Sequence, residues 1–235
     1  NKNIGLQYVR GLAEWADDGS IPDTRKSLWL VYSANKEDIW VSRLALPLAD
    51  APTPAWGRYQ PKWSAIIADD LTGDFDLENR EPCDFAGATL LVAPVAKFTV
   101  GLTLAAAQIG RGALDIDLLG GFGGSRPVRL RLTPDGMLRA TSGAATREIG
   151  RLPPDVFRFI TITADCARAK STVTIDEKKV VDLDFAEPAE SIQRLTFRAW
   201  ARPDVTFTAP VAADLDQPAD AVTYRIRGAK IQSGP

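Results

Sequence analysis

Apolar and polar residues alternate along most of the chain in short runs, which glycine, proline and aspartate separate. The run Phe159–Asp165 alternates in this way, as an antiparallel strand with one solvated face does. Pro134-Asp135-Gly136 and Asp176-Glu177-Lys178 have the composition of hairpin turns. The pattern predicts an all-β antiparallel sandwich. Its predicted strands are Trp63–Ile67, Ala88–Val92, Lys97–Ala105, Ala113–Leu118, Val128–Leu132, Leu138–Ala140, Phe157–Asp165, Ser171–Ile175, Lys179–Asp184, Ser191–Arg198 and Val222–Ile231.

The N-terminal part of the chain contains a separate hairpin pattern. Leu28–Tyr32 and Asp38–Leu44 are apolar, aromatic-rich runs on either side of the polar insert Ser33–Glu37. Two such runs joined by a short polar insert predict a β-hairpin. Pro47 ends the pairing, because proline has no N–H to donate to a neighbouring strand.

A proline- and alanine-rich stretch, Pro47–Pro54, follows this hairpin and has the composition of an extended linker. The sequence therefore predicts N-terminal strands in residues 1–50, a linker in residues 51–62 and a large sandwich in residues 63–235. About fifty residues have too little core to fold alone, so we expect the first part to pack on another structure.

Composition excludes several functions. The chain has no histidine, which excludes Ser-His-Asp and Cys-His nucleophile systems and His-ligated zinc within it. A net charge of −2 is too small to attract nucleic acid or an anionic membrane. No apolar run approaches the ~20 residues that a membrane-spanning helix needs, so we expect neither partner.

Two cysteines and two aspartates each allow alternative interpretations. Cys83 and Cys166 pair in an oxidising compartment or are two small core residues. Asp115 and Asp117 lie two positions apart, so a strand places both on one face. Such a pair serves glycoside hydrolysis or is a polar part of a solvated face. The third alternating acid of jelly-roll hydrolases is missing here.

Arginines and aromatic residues are the candidate sugar-binding groups. Arg129 and Arg131 share one face of a predicted strand, with Arg126 before them and Arg139 on the next strand. This stripe binds an acidic sugar through bidentate contacts or balances nearby acids. Exposed aromatic rings form platforms for apolar pyranose faces. The candidates for that role are Trp200, Phe122 and Tyr224.

Acidic clusters in two loops have the hard oxygen ligands that Ca²⁺ prefers. The alternative for each cluster is a solvated acidic loop. Structural calcium is the only cofactor that the sequence predicts. The two clusters are Asp214, Asp216 and Asp220, and Asp69, Asp70 and Asp74.

The run Leu28–Arg43, ending in Pro47, resembles the last blade of the BNR-repeat, sialidase-like β-propeller proteins. From about Trp63 onward the chain resembles the concanavalin/laminin-G-like jelly roll that follows such propellers. The resemblance implies an antiparallel jelly-roll (concanavalin-like) sandwich, preceded by strands from a terminal β-propeller blade. The segments that carry the second resemblance are Asp69–Pro82, Arg126–Leu130 and Tyr224–Ile231.

Sialidase-like enzymes use an arginine cluster, a tyrosine–glutamate nucleophile pair and an aspartate acid. The resemblance implies that Tyr32 is the tyrosine and Arg10 a member of the cluster. Apart from the resemblance, Tyr32 lies near Lys36, Glu37 and Asp38 in the sequence, and a tyrosine beside carboxylates can act as a nucleophile or proton donor. The alternative is a structural tyrosine beside a solvated turn. A propeller needs several blades, so the main catalytic residues would lie in another part of the protein or in a partner chain.

Two functions follow from the resemblance. The first is the C-terminal portion of a secreted or periplasmic carbohydrate-active protein, a sialidase-like glycoside hydrolase or polysaccharide lyase. Its jelly roll would bind glycans, including acidic polysaccharides, or serve as an accessory domain. The alternative is a free-standing, non-catalytic, lectin-like carbohydrate-binding module. A jelly roll that is itself catalytic is a third hypothesis.

Overall fold

The computed structural model describes residues 6–13, 27–34, 38–45, 55–69, 71–120, 125–203 and 217–234. The chain divides into two compact units, Asn1–Thr53 and Pro54–Pro235. In the first unit, three antiparallel strands form a sheet in the order β1-β2-β3. The predicted hairpin is confirmed, with Ser27 opposite Ala45 and Ala34 opposite Asp38. Its origin in a propeller blade stays a prediction. The strands are β1 (Leu6–Ala13), β2 (Ser27–Ala34) and β3 (Asp38–Ala45).

In the second unit, strands numbered onward in chain order form two seven-stranded antiparallel sheets. The predicted all-β sandwich is therefore confirmed. Sheet I contains β4 (Ala55–Tyr59), β7 (Phe85–Val95), β9 (Ala113–Gly120), β10 (Ser125–Leu132), β11 (Met137–Ser142), β12 (Ala145–Arg151) and β16 (Ile192–Trp200). Sheet II contains β5 (Ser64–Asp69), β6 (Asp74–Asn79), β8 (Lys97–Ala106), β13 (Arg158–Asp165), β14 (Lys170–Ile175), β15 (Lys178–Asp184) and β17 (Val222–Ser233).

The order of strands does not follow the chain. Sheet I has the order β12-β11-β10-β9-β16-β7-β4, and sheet II has the order β15-β14-β13-β8-β17-β6-β5. Strands β16 and β17, which are the last of each sheet along the chain, therefore lie in the interior of the sheets. Each of them is hydrogen-bonded on both sides.

All the strands predicted for this unit overlap observed strands, and three observed strands were not predicted. Strand β4 lies inside residues 51–62, which the sequence assigned to a linker. Strand β6 is rich in acids, and β12 is an exposed edge strand with few apolar residues. Strands β4 and β12 lack the apolar alternation from which the other strands were predicted. Strand β6 does alternate, but it is short and has only two apolar residues, Phe75 and Leu77.

The core lies between the two sheets and consists of alternate residues from each strand. Trp56 of β4 connects the layers, because its ring centroid lies 4.3 Å from that of Phe75 in sheet II and 6.3 Å from that of Phe197 in sheet I. Tyr224 of β17 is also in this core and is 1% exposed. Its prediction as an exposed sugar platform is wrong, since the ring faces the opposite sheet. Phe122 lies outside the described residues.

Both predicted turns are confirmed. Asp176 and Glu177 join β14 to β15 and both have positive φ, 49° and 65°, as a two-residue hairpin turn of the primed type requires. Gly136 has φ 78° and closes the Pro134–Gly136 turn by donating its N–H to the carbonyl of Thr133.

Neither cysteine forms a disulfide, which decides between the two interpretations. Cys166 is buried as the first residue of a short 3₁₀ helix, Cys166–Arg168, and Cys83 is half-buried. Burial raises the pKa of both thiols, so both are protonated at neutral pH.

Among the residues that the structure describes, no helix is long and apolar enough to cross a bilayer.

Candidate functional site

The outer face of sheet I carries one row of aligned residues, one from each of its seven strands. Strand register places Asp115 between Arg131 and Arg198, and places Arg139 directly opposite Arg131. The prediction that Asp115 and Asp117 share a face is confirmed by this register, since Asp117 lies between Arg129 and Thr196 in the neighbouring row. From edge to edge, the row is Tyr59, Gly87, Arg198, Asp115, Arg131, Arg139 and Glu148.

A buried ion pair lies at the centre of this face. The side chain of Asp117 is 2% exposed and that of Arg198 is 16% exposed, and Arg198 donates a hydrogen bond to Asp117. Arg129 approaches from β10, with its Nε 3.6 Å from Oδ1 of Asp117. Burial raises the pKa of Asp117, and the positive charge of Arg198 acts in the opposite direction. The contact with Arg198 therefore favours the ionised form of Asp117, which burial alone would disfavour.

Asp115 joins the charged and aromatic parts of the face. Its Oδ2 accepts a hydrogen bond of 2.8 Å from Nε1 of Trp200. Its Oδ1 lies 3.6 Å from Nε of Arg131. The carboxylate thus fixes the orientation of the indole ring and also balances one arginine.

Three half-exposed aromatic residues form a continuous ledge beside the ion pairs. Phe85 lies between Trp200 and Tyr59, with ring centroids 5.0 Å and 5.1 Å away. The Tyr59 hydroxyl donates to Oδ2 of Asp84 at 2.5 Å. The pKa of Tyr59 is raised, mainly by burial and secondly by this hydrogen bond. The guanidinium of Arg198 lies 5.7 Å from the Phe85 ring centroid. We call Tyr59, Phe85 and Trp200 the aromatic ledge.

Gly87 allows the ledge to form. A Cβ atom at this position would lie 3.1 Å from Cε2 of Phe85 and 3.1 Å from the carbonyl oxygen of Phe197. Both distances are tighter than ordinary van der Waals contact, so the Phe85 ring can rest on the strand only where no side chain is present.

We expect Gly87→Ala to displace the Phe85 ring and to lower the free energy of unfolding by about 1–2 kcal/mol through overpacking. The Trp200 Nε1–H resonance should shift, because the neighbouring ring current moves. The control is Gly57→Ala, since a Cβ there meets only the Thr89 carbonyl oxygen at 3.9 Å. An unchanged indole resonance in Gly87→Ala would contradict this account of the ledge.

A groove of about 780 Å³ lies over β9, β10 and β11, next to the ledge. Three arginines line it, with side chains 42%, 44% and 41% exposed. Arg139 donates to Glu148 at 3.1 Å. The three are Arg129, Arg131 and Arg139, which we call the arginine triangle.

The aspartate pair does not have the geometry of glycosidase acids. A general acid must come within hydrogen-bond distance of the glycosidic oxygen, and the Asp117 side chain is 2% exposed. Asp115 is already engaged by Trp200 and Arg131. These contacts show that the two aspartates hold the arginines and the indole in place. Of the two interpretations, the pair therefore fits a polar part of the sheet face and not a pair of catalytic acids.

The predicted catalytic residues belong to the first unit. Arg10 and Tyr32 lie on the neighbouring strands β1 and β2, where backbone register places Arg10 opposite Val31 and Tyr32 opposite Trp40. Glu37 lies outside the described residues. The roles of these three residues stay predictions.

The predicted metal ligands lie only partly within the described residues. Asp214, Asp216 and Asp70 fall outside them, and Asp220 is exposed. Asp69 accepts from the N–H of Leu71 in the turn that follows it, and Asp74 accepts from the N–H of Gly228 in β17. Within the part of the chain that the structure describes, no three Cys, Asp or Glu residues are grouped to hold a metal ion. Structural calcium stays a prediction.

Comparison with known proteins gives a family match over most of the chain. Residues 56–219 match the family described as sialidase-like, CBM domain. A comparison with curated proteins gave no match.

Solved structures agree with this match. A sialidase is 26% identical with a TM-score of 0.73, over 99% of this chain and 23% of that chain. The chain thus spans about a quarter of that protein. The Crh5 transglycosylase in its apo form is 14% identical with a TM-score of 0.57, over 80% of this chain and 81% of its own. A Bacillus licheniformis beta-glucanase is 10% identical with a TM-score of 0.51, over 80% of this chain and 96% of its own. The last two show the fold alone.

Proposed function

Because the chain belongs to the sialidase-like carbohydrate-binding module (CBM) family, we propose that the outer face of sheet I is its glycan-binding surface. One observation carries this proposal: the aromatic ledge and the arginine triangle lie side by side on the same face. Aromatic rings offer stacking area to apolar pyranose faces, while a few fixed polar groups orient the ligand.

The outer face of sheet II supports binding less well. Its cavity, near Lys97 and Thr172, is about 350 Å³, against about 780 Å³ for the groove of sheet I. Phe159 is exposed on this face, and Phe157 lies near Arg227, whose guanidinium is 5.8 Å from the ring centroid. The described residues of this face include no run of rings in contact like the aromatic ledge.

The arginine triangle favours an acidic glycan as the ligand. Arg129 and Arg131 are exposed by more than two fifths, and guanidinium groups bind carboxylates through two parallel hydrogen bonds. An acidic polysaccharide is therefore the ligand class that we propose for this surface.

For the whole protein, we propose a secreted or periplasmic sialidase-like hydrolase or lyase in which this module binds substrate. The sialidase match, which extends over both units of this chain, supports that context. In it, Tyr32, Arg10 and Glu37 would act with catalytic residues elsewhere in the protein. The free-standing module is the alternative. Turnover of an acidic glycan by the whole protein that is lost in Tyr32→Phe would favour the hydrolase or lyase.

The binding face can be tested by filling it without removing a charged or aromatic contact. Thr196 lies in the middle of the outer face of sheet I, where its hydroxyl is 3.3 Å from that of Thr89. We expect Thr196→Trp to lower the affinity for any glycan that the wild type retains on a glycan array by at least about tenfold. Tryptophan is a good strand residue, so folding should persist.

The matched control is Thr161→Trp, at an equivalent half-buried position on the outer face of sheet II. It should leave glycan affinity unchanged. Loss of binding in Thr161→Trp with retention in Thr196→Trp would place the site on sheet II and refute the proposal.

A further inference from the structure

We propose that the bound glycan runs across the strands of sheet I, with one carboxylated sugar over the arginine triangle and uncharged sugars over the aromatic ledge. This inference rests on the proposed function and adds the direction, the charge pattern and the length of the ligand. Among the acidic glycans proposed above, this surface favours a chain with one carboxylated sugar over a uniformly acidic one.

The aligned row sets the direction. Tyr59 at one side of the site and Arg139 at the other lie on β4 and β11, five steps apart in the strand order. At ~4.8 Å per step, this distance is about 24 Å. Sugar-binding groups lie along the row, whereas along each strand only two or three outward residues belong to the site. A chain lying across the strands therefore reaches both the ledge and the triangle.

The triangle brings three guanidinium groups together, and each has one carboxylate neighbour: Asp117 for Arg129, Asp115 for Arg131 and Glu148 for Arg139. Arg131 lies directly opposite Arg139 on the adjacent strand, and like charges in that relation destabilise a sheet. Arg129 shares the face with Arg131, two positions away on β10. A carboxylate held between these guanidinium groups would screen their repulsion and gain charge-assisted hydrogen bonds.

The aspartates of the groove already have other donors. Asp117 accepts from Arg198, Asp115 from Nε1 of Trp200, and Asp135 from the Thr133 hydroxyl at 2.6 Å. Asp117 and Asp115 are thus shared between these donors and the triangle, where they lie 3.6 Å from Arg129 and Arg131. Each half-exposed guanidinium keeps further N–H donors that an external carboxylate can reach.

The ledge has the opposite character. Arg198 is 16% exposed and committed to Asp117, so it offers no accessible positive charge. Two carboxylates border the rings, Asp84 at Tyr59 and Asp115 at Trp200. A carboxylated sugar on the ledge would meet their repulsion, whereas the apolar face of a neutral pyranose would stack on the rings.

The length follows from the span. A pyranose unit extends a glycan by roughly one inter-strand step, so about five sugars cover the distance from β4 to β11. Shorter oligosaccharides would cover the triangle and Trp200 but would not extend to Tyr59 at the far end of the ledge.

The test is an array of oligosaccharides in length-matched sets, with the wild-type chain as the probe. The sets are neutral, capped with one carboxylated sugar, uniformly carboxylated and sulfated. We expect the capped glycans to bind at least tenfold more tightly than neutral and uniformly carboxylated ones, with affinity rising up to about five sugars. Preference for the uniformly carboxylated or sulfated set overturns the inference but leaves the proposed binding of acidic glycans intact. Preference for the neutral set overturns the inference and the acidic ligand class, and leaves glycan binding by this module intact. Retention of no glycan overturns the proposed function itself.

A double-mutant cycle then locates the carboxylate. Arg139→Gln should weaken the best capped glycan about tenfold and should leave its carboxyl-reduced form unchanged. The control is Arg147→Gln, which removes one exposed positive charge from the neighbouring strand β12. Arg147 does not belong to the aligned row. Equal losses for the capped and reduced glycans in Arg139→Gln would show that Arg139 does not bind the carboxylate.

Discussion

Replacing Asp117 with leucine should lower the free energy of unfolding by about 3 kcal/mol, because Arg198 would keep a largely buried charge without its partner. Arg198 is 16% exposed, and its Nε has no hydrogen-bond partner among the described residues. Leucine has a similar size and suits a strand, so loss of the charge dominates. Urea unfolding monitored by tryptophan fluorescence would measure the change as a shift in midpoint at constant slope.

Two variants separate this effect from general damage to the sheet. The double variant Asp117→Leu/Arg198→Met removes both charges and should recover most of the loss, to within about 1 kcal/mol of the wild type. Glu148→Leu breaks the exposed pair with Arg139 in the same sheet and should change stability by less than about 0.5 kcal/mol. Equal losses in the single and double variants would show that the ion pair is not the cause.

The single variant Arg198→Met should make stability fall as pH rises. Burial already raises the pKa of Asp117, and Arg198 is the largest opposing influence, so its removal raises the pKa further. A carboxyl whose folded pKa exceeds its unfolded value stabilises the fold while it is protonated. That contribution is complete below about pH 4 and is lost as pH rises through the folded pKa. Unfolding midpoints that do not decline across this range in Arg198→Met would contradict the assignment.

Trp200→Ala should reduce glycan affinity by roughly 30-fold, about 2 kcal/mol, the size of an aromatic hot spot. The substitution removes the largest ring of the aromatic ledge and also frees Asp115, which accepts from its Nε1. Isothermal titration with the best glycan from the array would measure the loss. Trp200→Phe keeps a ring but loses the hydrogen bond, so it should fall between the wild type and Trp200→Ala.

The matched control for this prediction is Phe159→Ala, which removes an aromatic ring 42% exposed on the outer face of sheet II. Its glycan affinity should equal that of the wild type. If Trp200→Ala binds normally while its fold is intact by circular dichroism, the ledge is not the binding surface.

Much of the fold could be predicted from the sequence, because alternation with a period of two identifies strands wherever apolar residues are frequent. Strand β4 escaped this signal, since a proline- and alanine-rich segment precedes it and its outward residues are Gly57 and Tyr59. Tyr59 was therefore missed as part of the site. The alternation also does not state which face is buried, and for this reason Tyr224 was assigned to a platform rather than to the core.

The sequence could predict the site only for residues that are close together along the chain. Asp115 and Asp117, like Arg129 and Arg131, share a face through their spacing alone. Their contacts with Arg198 and Trp200 depend on the pairing of β9 with β16, strands that are more than 70 residues apart along the chain. No local pattern encodes that register, so the buried ion pair and the ledge required the three-dimensional structure.

The late arrival of β16 and β17 along the chain has a consequence for how the protein is made. Strand β16 separates β9 from β7, and β17 separates β8 from β6, so both sheets stay divided until the last fifth of this chain has been synthesised. Sheets closed by such distant segments fold slowly. During translation the aromatic half and the charged half of the site form on separate pieces of nascent chain, and neither can recognise a ligand until nearly the whole module has left the ribosome.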